Sequence, residues 1–104
     1  MELNIVERLL LLGILPPEGN LTTIKIVRKL REDLSFSEDE IAKYSIAQHA
    51  DGRVTWEAGG DEKAFEFGAK AREAIVKALE KLDKDGKVEE RHLSLFEKFG
   101  LDED

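Results

Sequence analysis

The chain has 104 residues, no cysteine and a formal net charge of -7, with hydrophobic residues at 41% and charged residues at 38%. That length fits one domain with a modest core; the missing thiols exclude disulfides, thiolate zinc sites, iron–sulfur clusters and a cysteine nucleophile; the acidic balance disfavours nucleic acid as a partner. The apolar stretch from Leu9 to Leu15 is far short of a bilayer span and is broken by Gly13 and Pro16, so the expectation is a cytoplasmic protein with no signal peptide and no membrane helix.

Leu3, Val6, Leu9, Leu10, Gly13 and Ile14 recur at helical spacing, while Ile5, Leu11, Leu12 and Leu15 fill the other faces. The first predicted helix is therefore apolar nearly all round, which places it at the centre of the fold or against another chain. Pro16-Pro17 ends it, because a residue before proline is pushed out of the α region. After the loop Glu18-Gly19-Asn20, the stripe Ile24, Val27, Leu30 and Leu34 predicts a surface helix from about Thr22 to Asp33 with one buried face. Ser37 with Glu40 three residues on forms a capping box, and Phe36 and Ile41 are placed as its hydrophobic staple, so a short helix is expected from Glu38 to about Tyr44.

From Ser45 to Glu57 the period changes to two. A three-residue loop Ala50-Asp51-Gly52, with Gly52 left-handed, puts Ile46 opposite Trp56 and Gln48 opposite Val54; a two-residue Asp-Gly turn would face Ile46 with Glu57. A hairpin alone is marginal in water and needs a helix over it, with Trp56 as the contact. Gly59-Gly60 breaks the chain, Asp61 is a reasonable N-cap, and Ala64, Phe67, Gly68, Ala71, Ile75, Ala78, Leu79 and Leu82 mark one face of a long helix. The small residues Gly68, Ala71, Ala74 and Ala78 would let another helix approach closely. Asp83 to Gly86 is a turn, Leu93, Phe96 and Phe99 define a last short helix closed by Gly100, and Leu101 to Asp104 reads as a frayed tail. The fold class is thus α+β, mainly α: one domain of about five helices with a β-hairpin near residues 45–57 packed on a helical core.

Several constellations invite a chemical reading and lose it on inspection. Asp83-Lys84-Asp85-Gly86 suggests a calcium loop, but aligning Gly86 with the loop glycine puts Lys81 at the first ligand position and His92 where a bidentate Glu belongs. Glu89 and His92 have the Glu-x-x-His spacing of di-metal bundles, yet Ile46 precedes His49 at the same offset, so no second copy exists and a surface histidine is the ordinary explanation. Gly59-Gly60 before a helix suggests a phosphate cradle that Asp61 and Glu62 would repel. None of Ser35, Ser37, Ser45 or Ser94 lies in a nucleophile-elbow pattern, and paired carboxylates in so acidic a chain discriminate nothing. The expectation is a non-enzyme without metal or cofactor. Lys25, Arg28, Lys29 and Arg31 gather positive charge on the second helix, but Glu32 and Asp33 follow at once, so the face reads as mixed and solvated.

The run Glu7-Arg8-Leu9 to Gly13-Ile14-Leu15-Pro16, the segment Leu21 to Leu34, the Ser37 box, the Gly52-to-Glu57 strand and Ala74 to Phe99 together resemble small proteins of tailed phages and prophages. The resemblance covers most of the chain, implies a phage or mobile-element setting, and carries no functional motif. The function expected is a protein-interaction or structural accessory module that binds a protein partner or a second copy of itself through Leu9, Leu12, Leu15 and Trp56. The alternative is a nucleic-acid-binding regulator acting through Lys25, Arg28, Lys29 and Arg31.

Overall fold

The computed structural model describes residues 1–57 and 62–102. Among these it places five α-helices and two ribbons of two short antiparallel strands, a mainly helical α+β fold. The chain runs β1 (Glu2–Leu3), α1 (Ile5–Ile14), α2 (Leu21–Leu34), α3 (Glu38–Lys43), β2 (Ala47–Gln48), β3 (Val54–Thr55), β4 (Lys63–Ala64), α4 (Ala69–Lys84), a 3-10 turn (Glu90–His92) and α5 (Leu93–Lys98).

Side chains start the first three helices. Asn4 Oδ1 accepts the Glu7 amide at 2.8 Å and Glu7 Oε1 accepts the Asn4 amide at 3.0 Å, a reciprocal box that satisfies two orphan donors at the start of α1. Asn20 accepts the Thr23 amide to open α2, and the Ser37–Glu40 box opens α3 as the sequence implies. The expected staple is weak, because Ile41 remains 42% exposed. Phe36 instead meets the Arg8 guanidinium, 4.0 Å from its ring centroid.

The hairpin has the predicted register. Gln48 pairs with Val54 and Ala47 with Thr55, the His49 amide donates to Arg53 O at 2.8 Å, and Gly52 takes a positive φ of 89° that glycine adopts without a Cβ clash.

The long helix starts later than its apolar spacing predicts. Glu2–Leu3 pairs antiparallel with Lys63–Ala64, and the Phe65 amide extends that ribbon by donating to Met1 O at 2.7 Å. Backbone spent on the ribbon is not available to a helix. Ala64 and Phe67 therefore precede α4, and Gly68 is its N-cap without a side-chain bond. Gly59, Gly60 and the expected cap Asp61 lie outside the described residues, as do the last two of the chain. Leu101 packs against the core and its amide donates to Phe96 O at 2.8 Å.

Helices α1, α2 and α4 pack pairwise, and their fully enclosed Leu11, Leu30, Leu34, Ile75 and Leu79 form the core with Leu3 from β1 and Leu95 from α5. Burying each such leucine or isoleucine contributes roughly 2 kcal/mol against an unfolding free energy of similar order to a few of them. Phe65, Phe67 and Phe99 close one end, with centroids 5.9 and 6.2 Å apart along the row. No helix among the described residues is long and apolar enough to cross a membrane.

Candidate functional site

Helix α1 differs sharply along its length. At its start, the buried Arg8 donates from Nε to Leu34 O at 3.1 Å and from Nη2 to Ser35 O at 2.8 Å, satisfying carbonyls at the C-terminal end of α2 where the helix dipole favours a cation. Its other donors hold the Glu40 carboxylate, at 2.5 Å from Nη1 and 3.3 Å from Nη2. Those bonds to Arg8, with the Ser37 amide and the Lys63 charge, outweigh partial burial and hold the Glu40 carboxyl down to about 2. One guanidinium thus joins α1, the end of α2 and the start of α3.

Glu7, 1% exposed, enters a second cluster. Lys98 Nζ lies 2.8 Å from Glu7 Oε1, 2.8 Å from Glu62 Oε2 and 2.7 Å from Glu2 O, tying α5 to α1 and β1. Burial pushes the Glu7 carboxyl up, but the Lys98 ammonium, the Asn4 amide and the Ser94 hydroxyl together bring it below the usual range. Burial likewise opposes the charge on Lys98, and its bonds to Glu62 and Glu7 override it and raise its pKa.

The other end of α1 is uncharged and open. On one side a trough of about 590 Å³ lies between Gly13–Pro17, the start of α2 and the flank of α4, with Ile14, Ile26, Ala74 and Ala78 as apolar walls and Lys70, Glu73, Lys77 and Lys81 on its rim. A second trough of about 580 Å³ lies between α1 and the hairpin, lined by Val6, Leu9, Leu10, Val54, Trp56 and Leu82, with Lys87, Glu89, Arg91 and His92 also lining it. Gly13 and Ile14 line both. A Cβ built on Gly13 meets nothing within 4 Å, so the helix surface between the troughs is bare backbone facing open space.

The residues expected to form an interaction surface are only partly together. Leu9 and Trp56 line the hairpin-side trough, and Leu12 is half-buried against the core. Leu15 is not an exposed surface residue: at 3% exposure it belongs to the core, because the chain turns at Pro16 and folds α2 back over it, and it lies at the edge of the α4-side trough. Val6, Gly13 and Ile14 line the troughs as well, which the sequence does not show, since an all-round apolar helix does not reveal which face stays uncovered.

Three of the four basic residues of α2 have partners within the chain. Arg28 pairs with Glu32 at 3.7 Å and Lys29 with Asp33 at 3.1 Å, both one helical turn on, while Arg31 Nη2 donates to Leu15 O at 3.3 Å and Lys25 is exposed. The mixed face inferred from the sequence is what the helix presents.

His92 is a correction, being buried rather than on the surface: its Nδ1 accepts the Glu89 amide at 2.9 Å and caps the 3-10 turn, which explains the Glu-x-x-His spacing without a ligand. His49 Nε2 lies 2.8 Å from Thr55 Oγ1 across the hairpin. Among the described residues no group of three or more His, Cys, Asp or Glu side chains is placed to hold a metal ion. Compared with models of known families, with curated proteins and with solved structures, the chain finds no match.

Proposed function

We propose that this chain is a non-catalytic protein-interaction module that docks an apolar polypeptide segment over the end of α1. The observation that carries this reading is that the two troughs meet at Gly13 and Ile14, which line both. The rim from Lys70 to Lys81 follows α4 for about 16 Å at 1.5 Å per residue, long enough for several turns of a bound helix laid in a groove. Bare backbone at Gly13 favours close approach of such a segment, as small residues do wherever helices pack tightly. Charge sits at the edges of the band and apolar side chains along its floor, the arrangement in which burial supplies affinity and polar groups supply register.

A photo-crosslinking amino acid placed at Gly13 tests the reading in the organism that encodes the chain, with the same group at the exposed Asp39 as control. The expected result is a discrete crosslinked polypeptide from position 13 and none from position 39. Equal crosslinking from both positions, or none from position 13, removes the proposal.

A further inference from the structure

We infer that a second copy of this chain docks on the α4 trough by laying its own Glu90–Glu97 face against Lys70 and Lys77. The inference rests on the reading of that trough as a docking surface and names one occupant for it.

Leu93 is 50% exposed although it opens a helix whose Leu95 and Phe96 are buried. Glu90 stands three residues before it and Glu97 four after, so the three share one face of the helical stretch running from Glu90 to Lys98. Both carboxylates are exposed and neither has an ion-pair partner among the described residues. This face is therefore an apolar knob between two unneutralised negative charges.

The trough presents the complementary order. Along α4, Lys70 is four residues before Ala74 and Lys77 three after it, and all three line the trough. Laid antiparallel, a single register brings Glu90 to Lys77, Leu93 to Ala74 and Glu97 to Lys70. The outer charges are about 10 Å apart on each face at the helical rise, so both ion pairs form together. Ala74 leaves room for the leucine where a larger side chain would fill the trough. In the same register Glu73 falls beside the uncharged Ser94.

Charge favours the match. The three rim lysines against Glu73 leave this trough locally positive on a chain whose net charge is -7. Lys70 has no ion pair among the described residues, and Lys77 is held only by Glu73, one turn away at 3.0 Å with both side chains mostly exposed, a partner that competes weakly. The patch is smaller than a standard interface of about 800 Å² per partner, so association is weak and strengthens at low salt.

Sedimentation at low salt, from micromolar to millimolar chain, is the test. The wild type is expected to rise above the mass of one chain. Leu93→Asp and Lys77→Glu alter exposed positions, keep the helical circular dichroism, and each weaken association by about tenfold or more. Glu90→Lys added to Lys77→Glu reverses the pair and restores it. A strict monomer at the highest concentration, association indifferent to Leu93→Asp, or a folded double variant that fails to recover would overturn the inference. A monomer that still crosslinks to another polypeptide from position 13 removes this inference alone and leaves the wider docking reading standing.

Discussion

The two ends of α1 solve opposite problems with the same ten residues. At the start, the buried side chains of Glu7 and Arg8 enter two different, multiply bonded ionic clusters, so this end is committed to holding the fold together. At the finish, Gly13 and Ile14 carry no charge, make no such commitment and lie between two open troughs. Rigidity at one end of a helix and vacant apolar surface at the other is how a small domain keeps a docking edge without losing its shape. The comparison predicts that substitutions at the two ends have effects of opposite sign on stability.

The largest effect is expected at Arg8. Arg8→Ala removes donors from Leu34 O, Ser35 O and Glu40 at once and empties the space over Phe36. Removing one partner of a buried ion pair costs about 3–5 kcal/mol, a large share of the stability of a chain this size. Guanidinium unfolding is the measurement, and a midpoint within error of wild type would show that the cluster is incidental. Arg8→Lys is expected to recover little, since an ammonium lacks the fork that reaches two carbonyls and a carboxylate together.

Acid is expected to open the same cluster more gently. Glu40 is held at about 2 against an ordinary 4.5, chiefly by its bonds to Arg8. A lowered folded-state value means that the stabilisation is complete above pH 4.5 and is lost as pH falls from there toward 2. With the side chain mostly buried, the loss is of order 2–3 kcal/mol. Chemical denaturation repeated between neutral and strongly acid pH should show this decline in the wild type and a flatter profile in Glu40→Gln, which begins less stable. Parallel profiles would assign the acid sensitivity to other carboxylates.

These clusters also mark how far the sequence could be read. The Ser37 box, the Gly52 loop and the α2 stripe depend on residues within a few positions of one another, and the structure has them where local chemistry puts them. The β1–β4 ribbon joins residues some sixty apart, and nothing local in Lys63–Ala64 announces a strand, so periodicity absorbed Ala64 and Phe67 into a helix that begins at Ala69. Asn4 with Glu7 is a capping box as plain as that of Ser37, but the apolar spacing begins one residue before it, at Leu3, and masks the helix start. Arg8 and Glu7 gave no sign of burial, since their partners come from distant segments. The site was half legible for a similar reason: Leu9 and Trp56 were found by hydrophobicity, whereas Gly13 matters through what does not cover it.

The smallest effect, and the one of opposite sign, belongs to Gly13. Its φ is not among the positive values found at Gly52, Gly86 and Gly100, and an added methyl touches nothing within 4 Å, so alanine fits the helix without strain. Gly13→Ala then lowers the conformational entropy of the unfolded chain and improves helix propensity, together about 0.5–1 kcal/mol of added stability. In a domain of this size that raises the thermal midpoint by a few degrees, about 4 °C at the centre of expectation. If stability alone governed the position, alanine would be the better residue in every assay. The docking reading requires the reverse in one of them: the methyl fills the bare saddle between the troughs, so Gly13→Ala should melt later yet bind its partner less well. A variant that gains stability and loses nothing in binding would detach this end of α1 from any docking role, leaving Gly13 as an ordinary weak point in a helix.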